Sequence, residues 1–175
     1  MPAARTNMNI TIRPATIDDA PALAQAHIRS WRASHERYVP AKAVEKFCDT
    51  RPQRWQKILS RADHTTHVAL LEGRIAGHIS FGPCRGKDLG ERYWQIYSLY
   101  LDPDVQRHGI GRQLAAFAET QARKQGKAAM TLQTFGKNKP ARRFYEACGY
   151  VRYGRGKLRN DYGRRLRVLR YVKEL

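Results

Sequence analysis

The chain has 175 residues, of which 42% are hydrophobic, and we expect a single domain over residues 10–175 behind a flexible segment over residues 1–9. It contains no apolar run close to the length of about 20 residues that a membrane-spanning helix needs, and no signal-peptide core, so we expect a cytoplasmic protein. Its three cysteines lack the spacing of metal ligands, so we expect no metal site. The formal net charge of +18 indicates either an anionic partner or a solvated basic surface, and no RNA- or DNA-binding motif accompanies it.

The first third of the chain predicts one strand and three helices. Residues 9–13 alternate as a short strand, and Thr16 can cap a helix with a clear apolar stripe. Pro40 interrupts the helical pattern. A second helical segment runs through Phe47, and Thr50 is in a position to cap a third.

The rest of the chain predicts six strands and two helices. The segments in chain order are strands over Thr66–Leu71, 74–81 and 92–101, a helix over 110–126, a strand over 128–133, a helix over 138–149, and strands over 150–153 and 164–173. The basic residues 155–165 are predicted as the connection between the last two strands. The complete order, βααα-βββαβαββ, predicts an α/β fold with a mixed sheet of about seven strands flanked by helices.

The passage from the central strand into the next helix is the most informative part of the chain. Pro103 ends the strand because it has no N–H for a ladder bond, and two glycines nearby leave no Cβ in the path of a ligand. The helix then begins with free backbone N–H groups at the positive end of its dipole. We therefore predict a pyrophosphate site, whose candidate residues are Gln106, Arg107, His108, Gly109, Ile110, Gly111 and Arg112.

Two motifs give the chain a family resemblance. The turn matches Gln/Arg-x-x-Gly-x-Gly/Ala, and the later segment NKPARRFYEACGYV carries Asn138, Ala141, Phe144, Tyr145, Gly149 and Tyr150. In order and spacing, these motifs resemble the acyl-CoA-binding turn and the following helix of the GNAT acetyltransferase superfamily. The resemblance covers residues 10–175. It implies a GNAT-like fold, acetyl-CoA as the cosubstrate and no metal.

The resemblance also implies roles for single residues. The backbone of Leu99 and Leu101 would hold the acetyl carbonyl and the pantetheine arm, and Tyr100 lies between them in the same cofactor-binding strand. Asn138 matches a position that hydrogen-bonds the pantetheine arm, and it can also be a helix N-cap. Tyr145 matches the position that faces the sulfur, which implies a catalytic acid for the leaving thiolate; its alternative role is a core aromatic residue.

The sequence leaves the general base unassigned. Several members of the superfamily carry a glutamate shortly before the end of the central strand, where this chain has Gln95. An amide cannot accept a proton from an ammonium group near neutral pH, and one alternative role for Gln95 is to orient water or substrate. The alternatives are a water chain or one of the side chains of Glu91, His78, His35 and Glu36.

Together these features predict an acetyl-CoA-dependent N-acetyltransferase. It would move an acetyl group to a primary amine of a small molecule or protein by direct attack on the thioester. The alternative is an acyl-CoA-binding or nucleic-acid-binding module without turnover, which the missing glutamate and the +18 charge keep open. The expected partners are coenzyme A and an amine acceptor, with no membrane; nucleic-acid or ribosome contact and a homodimer stay open.

Overall fold

The computed structural model describes residues 10–63, 65–86 and 88–175, so the predicted flexible segment 1–9 lies outside the described residues. The strands are β1 (Ile10–Pro14), β2 (Thr66–Leu71), β3 (Arg74–Pro83), β4 (Tyr93–Leu101), β5 (Ala129–Phe135), β6 (Val151–Asp161) and β7 (Arg164–Glu174). The helices are α1 (Ala20–His35), α2 (Ala41–Leu59), α3 (Ile110–Lys124) and α4 (Lys139–Ala147). None of the helices formed by these residues combines the length and the apolar character that crossing a membrane requires.

The seven strands form one mixed sheet in the order β1-β2-β3-β4-β5-β7-β6. Neighbouring strands are antiparallel except β4 and β5, which are parallel and are joined by α3. The predicted hairpin of β2 and β3 turns at Glu72 and Gly73, whose φ angles are 50° and 77°. The predicted α/β architecture with a seven-stranded mixed sheet is confirmed.

The two faces of the sheet are covered by different helix pairs. Leu114 of α3 and Tyr145 of α4 pack in one cluster with Ile79 of β3. Trp55 of α2 packs in another cluster with Val68 of β2. The central strand β4 therefore has α3 and α4 on one side and α1 and α2 on the other.

The two helical segments predicted on either side of Thr50 form the single helix α2, so the prediction of a third helix there was wrong. Thr50 does not cap a helix: its Oγ donates to the Lys46 carbonyl at 2.7 Å, as a hydroxyl does inside a helix. Pro52 also lies inside α2, where its missing N–H and its ring are unfavourable. The helix continues because every fourth side chain from Phe47 to Leu59 is buried, and this packing offsets the disruption.

The basic stretch predicted as a connection is mostly strand, which corrects the prediction for residues 155–165. β6 extends to Asp161 and turns at Tyr162 and Gly163, whose φ angles of 56° and 71° are both left-handed. This pair of φ angles is typical of a two-residue type I′ hairpin turn. The sequence conceals the strand because β6 lies at the sheet edge, exposed over most of its length, and has no alternating apolar residues.

Candidate functional site

The two parallel strands at the centre of the sheet separate along their length. Their ladder joins residues 93–96 of β4 to residues 129–132 of β5 and ends there. Beyond that point β4 continues to Leu101 and β5 continues to Phe135. The second half of β4 therefore borders an opening instead of a neighbouring strand.

The backbone of β4 presents hydrogen-bonding groups to this opening. The Asp102 N–H donates to the Ala76 carbonyl at 2.8 Å, so the N–H of Asp102 points toward β3. Along a strand, the backbone groups of successive residues point alternately to the two neighbouring sides. By that alternation, the N–H and C=O groups of Leu99 and Leu101 face the opposite edge, toward the opening. Gln106 Nε2 reaches the Leu101 carbonyl there at 3.5 Å. A ligand in the opening can thus bind the backbone of the residues predicted for that role.

The turn after β4 places backbone donors at the start of α3. Arg107 and Gly109 have left-handed φ angles of 68° and 81°. The Gln113 N–H donates to the Gly109 carbonyl at 3.1 Å, so the N–H groups of residues 110–112 precede the first helical bond of α3. Unpaired N–H groups and the positive end of the dipole at one helix end are suited to bind an anion.

The two glycines of the turn are required for different reasons. A Cβ on Gly111 would lie 3.2 Å from Leu101 Cδ1 and 3.2 Å from two ring atoms of Phe144. Gly111 therefore lets α3 approach β4 and α4 closely. Around Gly109 the space is open, and its φ of 81° is what disfavours a side chain.

The polar side chains of the turn contact nearby backbone. His108 Nδ1 lies 3.3 Å from the Val105 carbonyl, and Arg112 Nη2 donates to the Ala147 carbonyl at 3.3 Å. His108, Arg112 and Arg107 are all exposed. Because Ala147 is the last residue of α4, the contact from Arg112 holds the start of α3 against the end of α4.

Asn138 and Tyr145 lie toward opposite ends of α4. Asn138 is the N-cap, whose Oδ1 accepts from the Ala141 N–H at 3.2 Å, and this bond leaves its amide N–H groups for another partner. Tyr145 is 8% exposed and its ring packs edge-on against Phe144 and Tyr150. Burial raises the pKa of Tyr145, so the phenol carries its proton at neutral pH.

A cavity of about 610 Å³ lies on the other side of β4, between the strands and the pair α1 and α2. Cavities of this size suit a small molecule. The sheet side includes Ser98 and Tyr100 of β4. The helix side is aromatic and basic, with His27, Trp31, Phe47, Arg51, Arg54 and Trp55.

Tyr100 lines this cavity from the sheet side. Burial raises the pKa of Tyr100, and the neighbouring phenols of Tyr162 and Tyr145 raise it further.

None of the side chains considered for the general base lines the cavity. Glu36 is paired with Arg32 at 2.9 Å, and Glu91 precedes β4, at the end of the strand away from the opening. Burial lowers the pKa of His35 to about 4. Burial and the charge of Arg51 lower the pKa of His78 to about 3. Within the described ranges, no group of three or more His, Cys, Asp or Glu side chains is arranged to hold a metal ion.

Gln95 is tied to the loop between β3 and β4. Its Oε1 accepts from the Arg85 N–H at 3.1 Å. Arg85 and the preceding Cys84 line the cavity, whereas Gln95 does not. The amide at this position therefore fixes a loop of the cavity wall.

Sequence reasoning missed His27 and Arg51, which are the buried polar residues on the helix side of the cavity. His27 Nδ1 accepts from Trp55 Nε1–H at 3.2 Å, so the neutral ring carries its proton on Nε2. Burial, then His78 and Arg51, holds the pKa of His27 well below its ordinary value. The available signal was spacing: each residue lies four positions from an aromatic residue in a buried helical stripe.

Sequence and structure comparisons give consistent matches. The sequence model of the Acetyltransferase (GNAT) family matches residues 22–150. Over 144 residues the chain is 30% identical to the uncharacterized N-acetyltransferase YuaI of Bacillus subtilis, covering 79% of this chain and 78% of that protein. Over 97 residues it is 30% identical to the L-amino acid N-acyltransferase MnaT of Escherichia coli, covering 55% of this chain and 56% of that protein. Its fold is similar to that of the PaiA N-acetyltransferase of Thermoplasma acidophilum in complex with coenzyme A, with a TM-score of 0.75 and 20% identity over 96% of this chain and 100% of the other.

Proposed function

The chain belongs to the GNAT acetyltransferase family, and from this premise we propose that it transfers an acetyl group from acetyl-CoA to a primary amine of a small molecule or protein. The family makes it an acyltransferase; the acetyl donor and the amine acceptor are the proposal. The observation that supports it is the opening between β4 and β5, together with the N–H groups of residues 110–112, which precede the first helical bond of α3 beyond the end of β4. The amine would attack the thioester directly from the cavity on the far side of β4.

The residues around the opening fit the donor. Acetyl-CoA supplies the acetyl group as an activated thioester. The N–H groups of residues 110–112 would bind its pyrophosphate, and the backbone of Leu99 and Leu101 would hold the acetyl carbonyl and the pantetheine arm. Asn138 can donate its free amide N–H groups to the same arm. The opening without a strand partner and the missing Cβ of Gly111 support this fit.

Tyr145 is the proposed acid. Its buried phenol keeps its proton at neutral pH and can give it to the departing thiolate. Its ring packs against Phe144, which lies beside Gly111 of the turn, and this contact supports a location next to the donor.

The acceptor amine must be neutral before it attacks, and positive charge in the cavity that is not paired with an anionic group of the acceptor would favour that form. Arg51, Arg54 and Arg85 line the cavity, and among the described residues none of the three is in an ion pair with a carboxylate. Nearby positive charge lowers the pKa of an ammonium group. Part of the deprotonation that a glutamate would perform is thereby achieved electrostatically, and water can take the proton.

The proposal is tested with the full chain, acetyl-CoA and a panel of primary amines that includes amino acids, polyamines, aminoglycosides and peptides. We expect mass spectrometry to detect an acetylated amine, formed faster than acetyl-CoA is hydrolysed without an acceptor. Acetyl-CoA binding by calorimetry with no product across the panel would favour the binding-module alternative. Absence of acetyl-CoA binding would contradict the proposed function.

A further inference from the structure

Arg51 is a buried cation that faces the cavity between β4 and the helices α1 and α2. It is 8% exposed, and its Nε is buried without a hydrogen-bond partner among the described residues. Its guanidinium carbon lies 3.7 Å from the centroid of the Phe47 ring, one helical turn earlier on α2. Stacking on an aromatic face orients the guanidinium plane but provides no hydrogen-bond acceptor.

The charge of Arg51 is not compensated within the part of the chain that the structure describes. No carboxylate lies within ion-pair distance of it there, and burial together with the neighbouring Arg54 lowers its pKa to about 10. Asp63, the carboxylate on the described cavity wall, is held by Arg61 at 2.7 Å. A buried cation without a counter-ion is costly, so proteins normally provide one. Here the missing counter-ion can come from a ligand.

The surroundings of Arg51 agree with this interpretation. His27 and Tyr100 line the same cavity, both uncharged at neutral pH, and the exposed Arg54 adds a second guanidinium three residues along α2. A guanidinium presents parallel N–H groups that match a carboxylate or phosphate. The cavity thus combines aromatic side chains with the guanidinium groups of Arg51 and Arg54, which can bind one oxyanion together.

We propose that the acceptor carries an oxyanion, a carboxylate or a phosphate, on the same molecule as its amine, and that Arg51 binds this group together with Arg54. The proposal rests on the proposed function and specifies its substrate class: a small anionic amine. Arg51 and β4 line one cavity, so a molecule held by its anionic end at Arg51 has its other end beside the strand that borders the opening. The role of Arg51 is to bind and position the acceptor.

A binding measurement tests the anion site without relying on turnover. The protein is saturated with coenzyme A, which under the proposed function would cover the N-terminus of α3. Its melting temperature is followed while inorganic phosphate replaces chloride at constant ionic strength. We expect phosphate to stabilise the parent, and to stabilise Arg51→Met much less. Arg74→Met, which removes an exposed arginine from the start of β3, is the matched control and should respond as the parent does. An equal phosphate effect in the parent and Arg51→Met, or no effect in the parent, would overturn the proposal.

An activity measurement distinguishes carboxylate from phosphate. Acetylation of leucine is compared with that of leucinamide, and acetylation of phosphoethanolamine with that of ethanolamine. For at least one pair we expect the ratio of kcat/KM, anionic over neutral member, to fall about ten- to a hundredfold in Arg51→Met, because a charge-assisted hydrogen bond is lost. Comparing ratios removes the difference in amine pKa within each pair.

Two further variants distinguish the loss of the anion site from a general loss of folding or activity. Arg51→Lys retains the charge but lacks the parallel N–H groups of a guanidinium, so it should recover part of the preference for the anionic acceptor. Arg54→Met replaces Arg51→Met in these measurements if Arg51→Met does not fold. If the neutral members are acetylated with ratios that Arg51→Met leaves unchanged, the anionic acceptor is wrong and acetyl transfer stands. If acetyl-CoA does not bind at all, the proposed function fails, and a phosphate titration without coenzyme A still decides whether Arg51 binds an anion, through the difference between the parent and Arg51→Met.

Discussion

At the scale of single residues, Tyr145 allows the proposed proton transfer to be tested separately from acetyl-CoA binding. Its ring packs against Phe144 and Tyr150, while its hydroxyl is the group proposed to protonate the thiolate. The substitution Tyr145→Phe keeps the packing and removes only the hydroxyl. It therefore isolates the proposed acid.

We predict that Tyr145→Phe lowers kcat by about 10²-fold, at the low end for a general acid because a thiolate leaves readily. The dissociation constant of acetyl-CoA should stay within about twofold, since no packing contact is lost. Steady-state kinetics and calorimetry measure the two effects. Tyr153→Phe, at a half-exposed position of β6, is the control and should change neither. An unchanged kcat in Tyr145→Phe would make this residue part of the core only.

At the scale of secondary structure, the close approach of α3 to α4 depends on Gly111. A side chain there meets Leu101 and Phe144 at 3.2 Å, so a branched residue overpacks the contact of α3 with β4 and α4. The sequence indicated that Gly111 clears space for a ligand. The geometry adds that it lets the turn, where we propose that the pyrophosphate binds, pack closely against Leu101 of β4 and Phe144 of α4.

We predict that Gly111→Val abolishes measurable acetyl-CoA binding and destabilises the fold by about 1–3 kcal/mol through overpacking. Calorimetry and urea unfolding measure these effects separately. Ala116→Val adds the same branched side chain on the exposed face of α3 and should bind acetyl-CoA as the parent does. Full affinity in Gly111→Val would mean that the pyrophosphate is bound elsewhere.

The elements that could be predicted from the sequence are those whose signal is local. The turn between Pro103 and Gly111 carries its glycines and proline in the sequence, and the β2–β3 hairpin carries Gly73. The cavity could not be predicted in this way, because α1, α2, β3 and β4 form it from residues distant in sequence. The continuity of α2 through Pro52 depended in the same way on tertiary packing.

At the scale of the whole molecule, three buried histidines make stability depend on pH. Burial is the main cause that lowers the pKa of His78 to about 3, of His35 to about 4, and of His27 well below its ordinary 6.5. In the unfolded chain a histidine titrates near pH ~6.5. Below that pH the unfolded state therefore binds more protons than the folded state, so stability is fully present above pH ~6.5 and is lost as the pH falls.

We predict that the free energy of unfolding is constant between about pH 8 and 7 and falls steadily from about pH 6.5 downward, by about 1.4 kcal/mol per pH unit for each histidine. Urea unfolding at pH 7.5 and 5.5 measures the difference. His108→Gln, at an exposed position, should leave the slope unchanged. Equal free energies at the two pH values would show that the three histidines are accessible to protons in the folded state.

The net charge of +18 exceeds what one coenzyme A can use, and part of the excess lies on the exposed edge strand β6. We predict that duplex DNA binds weakly, without sequence preference, and that its affinity falls steeply with salt because phosphate contacts release counterions. Fluorescence anisotropy at low and physiological salt measures this. A tight, sequence-selective complex at physiological salt would favour the nucleic-acid-binding alternative over the enzyme.

The central claim is that acetyl-CoA binds in the opening between β4 and β5 with its pyrophosphate at the start of α3. Amide chemical shifts of the ¹⁵N-labelled protein, recorded as acetyl-CoA is added, test it most directly. We predict that the largest changes occur at Leu99, Leu101 and residues 110–112, whose N–H groups face the ligand. If these amides stay unchanged while those of another surface, such as the β6–β7 hairpin, move on binding, the account is contradicted.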